Sequence, residues 1–318
     1  MNFIDNVVID SNKKGANQMS NLKNIECYSE YKKYRFINGS SQRLDFSNFD
    51  DDYISNLEKF DTELKTLFYP KIMFIENNLK SYIIDSILKY SEFSDLENIF
   101  AKYITNYKSY TGTKDYKKNY TKRLRLKNKI TESLIKNYEN NNKSINYFFN
   151  NDLSMPIWIV VEVLTLGELG NLFSCLDKEI KKHISKLLNI PSNFDNDGKF
   201  IEYSIYTIKD LRNAVAHNNV IFDARFKSLK INKRIKEIFQ YEMKISIIDF
   251  NYIYEYVILI AYILHKFNQP GEELIDFLNN FVKSVDIIKN FPQNIHDKIL
   301  GTNMKSSIKT LKRFIEKH

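Results

Sequence analysis

A stripe of apolar residues recurs at steps of three and four positions from Leu57 to Ile83, a span of about seven helical turns. Its members are Leu57, Phe60, Leu64, Leu67, Phe68, Ile72, Ile75, Leu79, Tyr82 and Ile83. This spacing predicts one long helix that must bury its apolar face against other elements. Pro70 interrupts the stripe. Because proline removes a helical N–H and clashes with the preceding turn, we expect the helix to kink or split there.

The scarcity of turn-forming residues favours helices throughout the chain. Only 8 glycines and 5 prolines occur among 318 residues, whereas an all-β sandwich or barrel needs many turns. Helical patterns recur at about 178–188, 203–219, 228–243, 249–267 and 271–289, and no strand-like alternation is convincing. The sequence therefore predicts an all-α fold. Residues 1–20 are polar and aperiodic and predict a mobile lead-in, and residues 21–318 predict a single domain.

Composition bounds the compartment and the class of partner. Lys and Arg outnumber Asp and Glu by 47 to 39, a net charge of +8, which favours a polyanionic partner. Two cysteines, Cys27 and Cys175, cannot form a disulfide framework, and this usage favours a reduced, cytoplasmic protein. The most apolar segment, 253–264, is too short to cross a bilayer and contains Glu255, so it predicts a buried helix and no membrane association.

Most common catalytic motifs are missing from the sequence. It contains no glycine-rich phosphate loop, no G-x-S-x-G, no H-E-x-x-H and no clustered Cys/His spacing, so we expect neither a metal nor a cofactor. An enzyme built on histidine must use one of only five: His183, His217, His265, His296 and His318.

The segment Arg212-Asn213-Ala-Val-Ala-His217 places an arginine and a histidine near one another. Such a pair can catalyse phosphodiester cleavage in RNA without a metal ion. Asn213 and His217 are four residues apart and share a helix face. In RNA the ribose 2′-hydroxyl is the nucleophile, so cleavage needs a proton acceptor, which His217 supplies, and a cation for the phosphate, which Arg212 supplies. Asn213 would orient the imidazole or bind the phosphate. The spacing alone also fits a surface ion pair and a histidine that ends a helix.

A second pair with the same spacing, Arg313 and His318, ends the chain and is interpreted as coincidence. The first pair has more support, because the longer segment Asp210–Asn219 resembles the R-N-x-x-x-H signature of HEPN ribonucleases. Two further blocks resemble the Abi-type abortive-infection proteins of bacterial phage defence. They are FDTELKTLF…IENNLKS (60–81), similar to F-D-x-x-L-R-x-L and I-E-x-x-L-R, and MPIWIVVEVLTLGELGNLF (155–173).

This resemblance implies more than the residues do alone. It implies a HEPN-type helical bundle with additional N-terminal and C-terminal helices, and an anti-phage endoribonuclease with Arg212, Asn213 and His217 as its catalytic residues. It also implies a homodimer, and in some relatives a small structured RNA restrains the toxin. Glu76 and Glu162 match family positions, although an acid on a helix is usually structural. We interpret Trp158 as a core anchor.

A run of cations from Lys114 to Lys129 contains a single acid, Asp115, and is interleaved with tyrosines. Lys117, Lys118, Lys122, Arg123 and Arg125 are the predicted RNA-binding residues, because cations neutralise phosphates and aromatic rings stack on bases. An ordinary solvated helix face is the alternative. A weaker basic stretch covers residues 225–236. Two other functions stay open: an RNA-binding protein that does not cleave, and a dimeric interaction module.

Overall fold

The long apolar stripe forms one helix, α1 (Asp51–Tyr90, 40 residues), in the computed structural model. The structure describes residues 51–224, 226, 233–246 and 248–317. The predicted lead-in at 1–20, Cys27, His318 and most of the basic stretch 225–236 lie outside these residues. Helices and no strand occur in the described part, which confirms the all-α prediction.

Twelve further helices follow α1 in the described residues. They are α2 (Leu96–Lys102), α3 (Tyr116–Glu139), α4 (Lys143–Asn150), α5 (Ile157–Val163), α6 (Leu166–Cys175), α7 (Lys178–Leu187), α8 (Lys199–Ala216), α9 (Lys233–Met243), α10 (Ile253–Lys266), α11 (Gly271–Val285), α12 (Gln293–Leu300) and α13 (Met304–Ile315), with 3₁₀ turns at Asn106–Tyr110 and Asp286–Ile288. The motif helix α8 begins four residues before the predicted position 203 and ends three before the predicted 219.

Helix α1 is the central element of the fold. It packs against α5, α6, α7, α8, α10 and α11, and the stripe positions Phe60, Leu64, Phe68 and Ile72 are fully buried. We expected a kink or a split at Pro70, and the split is excluded, because α1 runs through Pro70 without a break. Pro70 and Thr66, whose carbonyl loses its helical partner, both lie on the exposed face, so water can solvate that carbonyl.

The most apolar segment forms the buried helix α10, as predicted. Every residue from Ile253 to Leu264 is buried, and α10 packs against α1, α8, α11 and α13. Glu255 belongs to its first turn, where the carboxylate accepts the backbone N–H groups of Asp249 at 2.8 Å and Tyr252 at 2.9 Å. Burial raises the pKa of this carboxyl group. The acid therefore caps the helix and does not belong to a membrane span.

Two glycines let α6 approach the motif helix α8 closely. A Cβ atom added to Gly170 would lie 3.0 Å from Tyr206 Cε1 and 3.1 Å from Ile205 Cγ2. A Cβ atom added to Gly167 would lie 3.3 Å from Lys209 Cδ. Helix α8 is thus held between α6 and α1.

Candidate active site

The motif helix α8 ends in a tight turn formed by the two asparagines that follow His217. His217 is the C-cap, and Asn218 adopts a left-handed conformation with φ of 51°. The N–H of Asn218 donates to Val215 at 3.1 Å, and that of Asn219 donates to Ala214 at 2.8 Å. These two bonds form a Schellman motif, and asparagine is the residue that tolerates its left-handed position best after glycine.

The three candidate catalytic side chains lie at this helix end. Asn213 and His217 are exposed and lie one turn apart on the same face, as the sequence predicted. Ala216 is exposed between them, whereas Ala214 is buried against the core. Arg212 points to a different side and retains 32% exposure of its side chain. The end of α8 therefore presents an amide, a small residue and an imidazole to solvent, with the arginine beside them.

Glu76 on α1 is the charged partner of Arg212. Its Oε2 lies 3.9 Å from Arg212 Nε, and both atoms are buried without a hydrogen-bond partner in the described residues. Its Oε1 lies 3.3 Å from Lys80 Nζ, which also donates to the carbonyl of Glu162 at 3.0 Å. The Glu162 side chain is exposed. Of the two acids noted in the sequence, only Glu76 has its carboxylate at the motif.

Asp61 and Lys65, one turn apart on α1, hold the segment that follows the motif. Asp61 is buried, and its Oδ1 accepts the backbone N–H groups of Ile221 at 2.7 Å and Phe222 at 2.9 Å. Lys65 Nζ lies 2.7 Å from Asp61 Oδ2 and donates to Asn218 Oδ1 at 2.7 Å. Sequence reasoning assigned no role to this pair. Their four-residue spacing on a helix was the available signal.

The cationic run lies on α3, where four of its five predicted RNA-binding residues are exposed: Lys117, Lys118, Lys122 and Arg125. Arg123 is different. Its guanidinium donates to the carbonyls of Ile104 and Phe100, both at 2.9 Å, and lies 4.3 Å from the centre of the Phe100 ring. This arginine therefore fixes the end of α2 and is not a cation presented to solvent.

Three tyrosine rings cluster beside these cations. Tyr116 and Tyr120 stack with parallel rings, and Tyr107 lies edge-on to both at centroid distances of 5.7 and 5.0 Å. Tyr116 and Tyr120 are more than one third exposed. The rings, together with Lys117, Lys118, Lys122 and Arg125, are named here the α3 patch.

The α3 patch lies away from the motif. Helix α3 packs on α6, and Lys122 acts electrostatically on Cys175, at the C-terminal end of α6. The motif end of α8 adjoins the other end of α6, where Gly167 faces Lys209. Because Gly167 and Cys175 are eight residues apart on α6, these two points are separated by about 12 Å along its axis.

Trp158 does not anchor the core as expected, because 42% of it is exposed. On the short helix α5 the buried residues are Ile157, Ile159, Val160 and Val161, and Trp158 lies on the exposed side with Glu162. The interpretation of Trp158 as a core anchor is therefore wrong.

No group of three or more His, Cys, Asp or Glu residues that could hold a metal ion occurs in the part of the chain that the structure describes. No helix there has both the length and the apolar character needed to cross a membrane.

Comparison with known proteins gives one result. Neither curated proteins nor solved structures gave a match. The model of the Abi-like protein family matches residues 20–223, which include α1 to α8, Glu76 and the motif. Since this match covers more than half of the sequence, the chain belongs to the Abi-like protein family.

Proposed function

We propose that this Abi-like protein is a metal-independent HEPN endoribonuclease that acts as an abortive-infection toxin. The observation that carries the proposal is the end of α8, where Asn213 and His217 are exposed and Arg212 is paired with Glu76. The family membership supports a role in abortive infection. The nuclease activity is inferred from the chemistry of the three motif side chains.

The proposed reaction balances without a further reactant. The 2′-oxygen of a ribose attacks the adjacent phosphorus, its proton passes to a base, and the bond from phosphorus to the 5′-oxygen breaks as that oxygen gains a proton. His217 transfers protons, because imidazole titrates near neutral pH. Arg212 binds the phosphate oxygens with its planar fork of donors. Asn213 orients the imidazole or the phosphate. The products are a 2′,3′-cyclic phosphate and a 5′-hydroxyl.

A homodimer would complete the site. The reaction uses an acid and a base beside one phosphate, and the described residues contain one Arg–His pair of this kind. A two-fold axis places the same surface of each chain opposite itself. The exposed face formed by Asn213, Ala216 and His217 has a small residue at its centre, which allows a second α8 to approach. In the dimer both His217 side chains would line one cleft.

RNA recognition is assigned to the α3 patch, without Arg123. Exposed cations beside stacked tyrosines suit an unpaired strand, whose phosphates and bases they can bind together. The distance between this patch and the motif also supports a second candidate, in which the protein holds a structured RNA and does not cleave it. The same surface would bind a restraining RNA in a toxin system.

The nuclease and the non-cleaving RNA-binding protein differ in the expected effect of a catalytic substitution on toxicity and on RNA cleavage. We expect expression of the wild-type protein to stop growth and His217→Ala to relieve this toxicity while RNA still co-purifies with the variant. Sequencing that RNA identifies the bound class. If the wild type and His217→Ala bind RNA equally and neither yields new RNA ends in the cell, the non-cleaving candidate replaces the nuclease.

A further inference from the structure

One face of α1 contacts the motif segment at two points. Asp61 and Lys65 are one turn apart, as are Glu76 and Lys80, and the step of eleven positions from Lys65 to Glu76 is about three turns. All four side chains therefore lie along one stripe. Its first pair contacts Asn218 and its second contacts Arg212. The contacts thus fall on both sides of His217 in the sequence.

The first contact fixes the residue next to the histidine. Lys65 Nζ has three oxygen neighbours: Asp61 Oδ2 at 2.7 Å, Asn218 Oδ1 at 2.7 Å and the Asn218 carbonyl at 3.4 Å. These neighbours account for the three protons of the ammonium group. Lys65 therefore holds the left-handed turn at Asn218 and has no proton left for a phosphate. Since His217 precedes that turn directly, its position depends on this contact.

The second contact orients the arginine. Glu76 is 8% exposed, and Lys80 occupies only one of its two oxygens. The other oxygen faces Arg212 Nε, which is itself buried without another partner in the described residues. Attraction between opposite charges is strong where water is excluded. The carboxylate therefore restricts the directions in which the guanidinium can point.

We propose that Lys65 and Glu76 are positioning residues that set His217 and Arg212 relative to one another through the rigid helix α1. The inference rests on the proposed nuclease function, because its purpose is the geometry of that reaction. Neither residue is assigned contact with the RNA. A shift of the reacting groups by about 1 Å can lower an enzymatic rate about 100-fold.

The kinetic test uses Lys65→Met and Glu76→Gln, with Lys59→Met and Glu63→Gln as controls at exposed positions of the same helix. We expect the first two to lower the single-turnover cleavage rate about 10- to 100-fold, with RNA affinity changed less than about threefold. Lys65→Arg, which keeps the cation, should retain most of the rate. Rate losses that arise entirely from weaker RNA binding would overturn the proposal.

A spectroscopic test works whether or not the protein cleaves RNA. In NMR spectra of labelled protein, Glu76→Gln should shift the Arg212 Nε–H signal, and Lys65→Met should shift the His217 imidazole signals. Arg212→Lys and His217→Ala assign these signals. Asn218→Gly is a second variant, because glycine keeps the left-handed turn while the contact with Lys65 through Oδ1 is lost. Asn218→Gly should also shift the His217 imidazole signals.

The spectra separate the two possible failures. If wild-type protein does not cleave RNA but the shifts occur, the nuclease proposal fails and the positioning contacts stand. If Lys65→Met, Glu76→Gln and Asn218→Gly leave the Arg212 and His217 signals as they are in the wild type, the positioning proposal is wrong.

Discussion

Arg212 Nε and Glu76 Oε2 lie 3.9 Å apart, buried between the motif helix α8 and the long helix α1. His217, five residues further on, is exposed. The arginine is therefore already directed before any ligand binds, while the imidazole is accessible. An arginine ordered in advance loses less conformational entropy when it binds a phosphate.

The α3 patch is expected to provide most of the salt-dependent RNA binding. Reversing the charges of Lys117, Lys118, Lys122 and Arg125 should weaken binding of a single strand. Each lost phosphate contact should reduce the log–log salt slope by about 0.7. Lys305→Glu with Lys309→Glu on α13, also exposed, is the control. If the salt slope equals that of the wild type, the α3 patch does not bind RNA and is an ordinary solvated helix face.

Arg123→Ala is expected to behave differently from the four exposed cations. It removes hydrogen bonds to the backbone carbonyls of Phe100 on α2 and of Ile104 just after it, and the stacking on Phe100. Hydrogen bonds from charged groups contribute about 1.5–3 kcal/mol each. The free energy of unfolding should therefore fall by a few kcal/mol, measured by denaturant titration. Loss of RNA affinity at unchanged stability would contradict this assignment.

The close approach of α6 and α8 gives a prediction about packing. Gly170→Ala places a methyl group 3.0 Å from the Tyr206 ring, and overpacking of this kind costs about 1–3 kcal/mol. Gly271→Ala is the matched control, because its Cβ would lie at an ordinary 3.6 Å from Ile315. Thermal denaturation should show a lower Tm for Gly170→Ala alone. Equal Tm values for the two variants would mean that α6 and α8 do not approach each other this closely at Gly170.

Lys181 on α7 should make stability depend on pH. It is 2% exposed, and burial lowers its pKa from 10.5 to about 8. The unfolded chain therefore binds more protons than the folded protein between these values, so the free energy of unfolding should rise as the pH increases from about 8 to 10.5. Lys181→Met should remove this rise. The measurement is the difference between wild type and variant across that range, and a constant difference would contradict the prediction.

The features that could be predicted from the sequence are those set by residues close together along the chain. The helix at Arg212–His217 and the buried helix 253–264 follow from the spacing and the apolar character of neighbouring residues, so they were predicted. The contacts of Lys65 with Asn218 and of Glu76 with Arg212 depend on how distant helices pack, and no local pattern carries that information.

At three residues the sequence did not indicate which side of the helix faces water. Pro70 is tolerated inside α1 because it lies on the exposed face. Trp158 has the hydrophobicity of a core residue, but its position on α5 directs it outward. Arg123 belongs to a run of cations, yet its place on α3 brings it to the end of α2.

The dimer is expected to be required for activity. Ala216→Arg adds a large cation to the exposed face between Asn213 and His217 without changing a catalytic residue. It should give a protein that sediments as a monomer and does not cleave. Ala101→Arg, at an exposed position of α2, should leave the dimer and the activity intact. A wild-type protein that is active and sediments as a monomer, even with RNA bound, would exclude the shared site.

Mixing two inactive variants tests whether the halves of the cleft have separable roles. Arg212→Ala and His217→Ala should each be inactive alone. Mixed dimers that recover part of the activity would show that each chain supplies a catalytic group to a common phosphate. If no activity is recovered, Arg212 and His217 of the same chain must act together.

The most direct test of the central claim is the chemistry of the cleaved ends. Purified protein is incubated with a labelled single-stranded RNA in EDTA, and the products are analysed for 2′,3′-cyclic phosphate and 5′-hydroxyl ends. We expect these ends from the wild type, and rates lower by about 10²- to 10⁴-fold for His217→Ala and Arg212→Ala, both folded as judged by circular dichroism. Cleavage that is lost in EDTA and restored by Mg²⁺, or that continues unchanged in His217→Ala, would contradict the account.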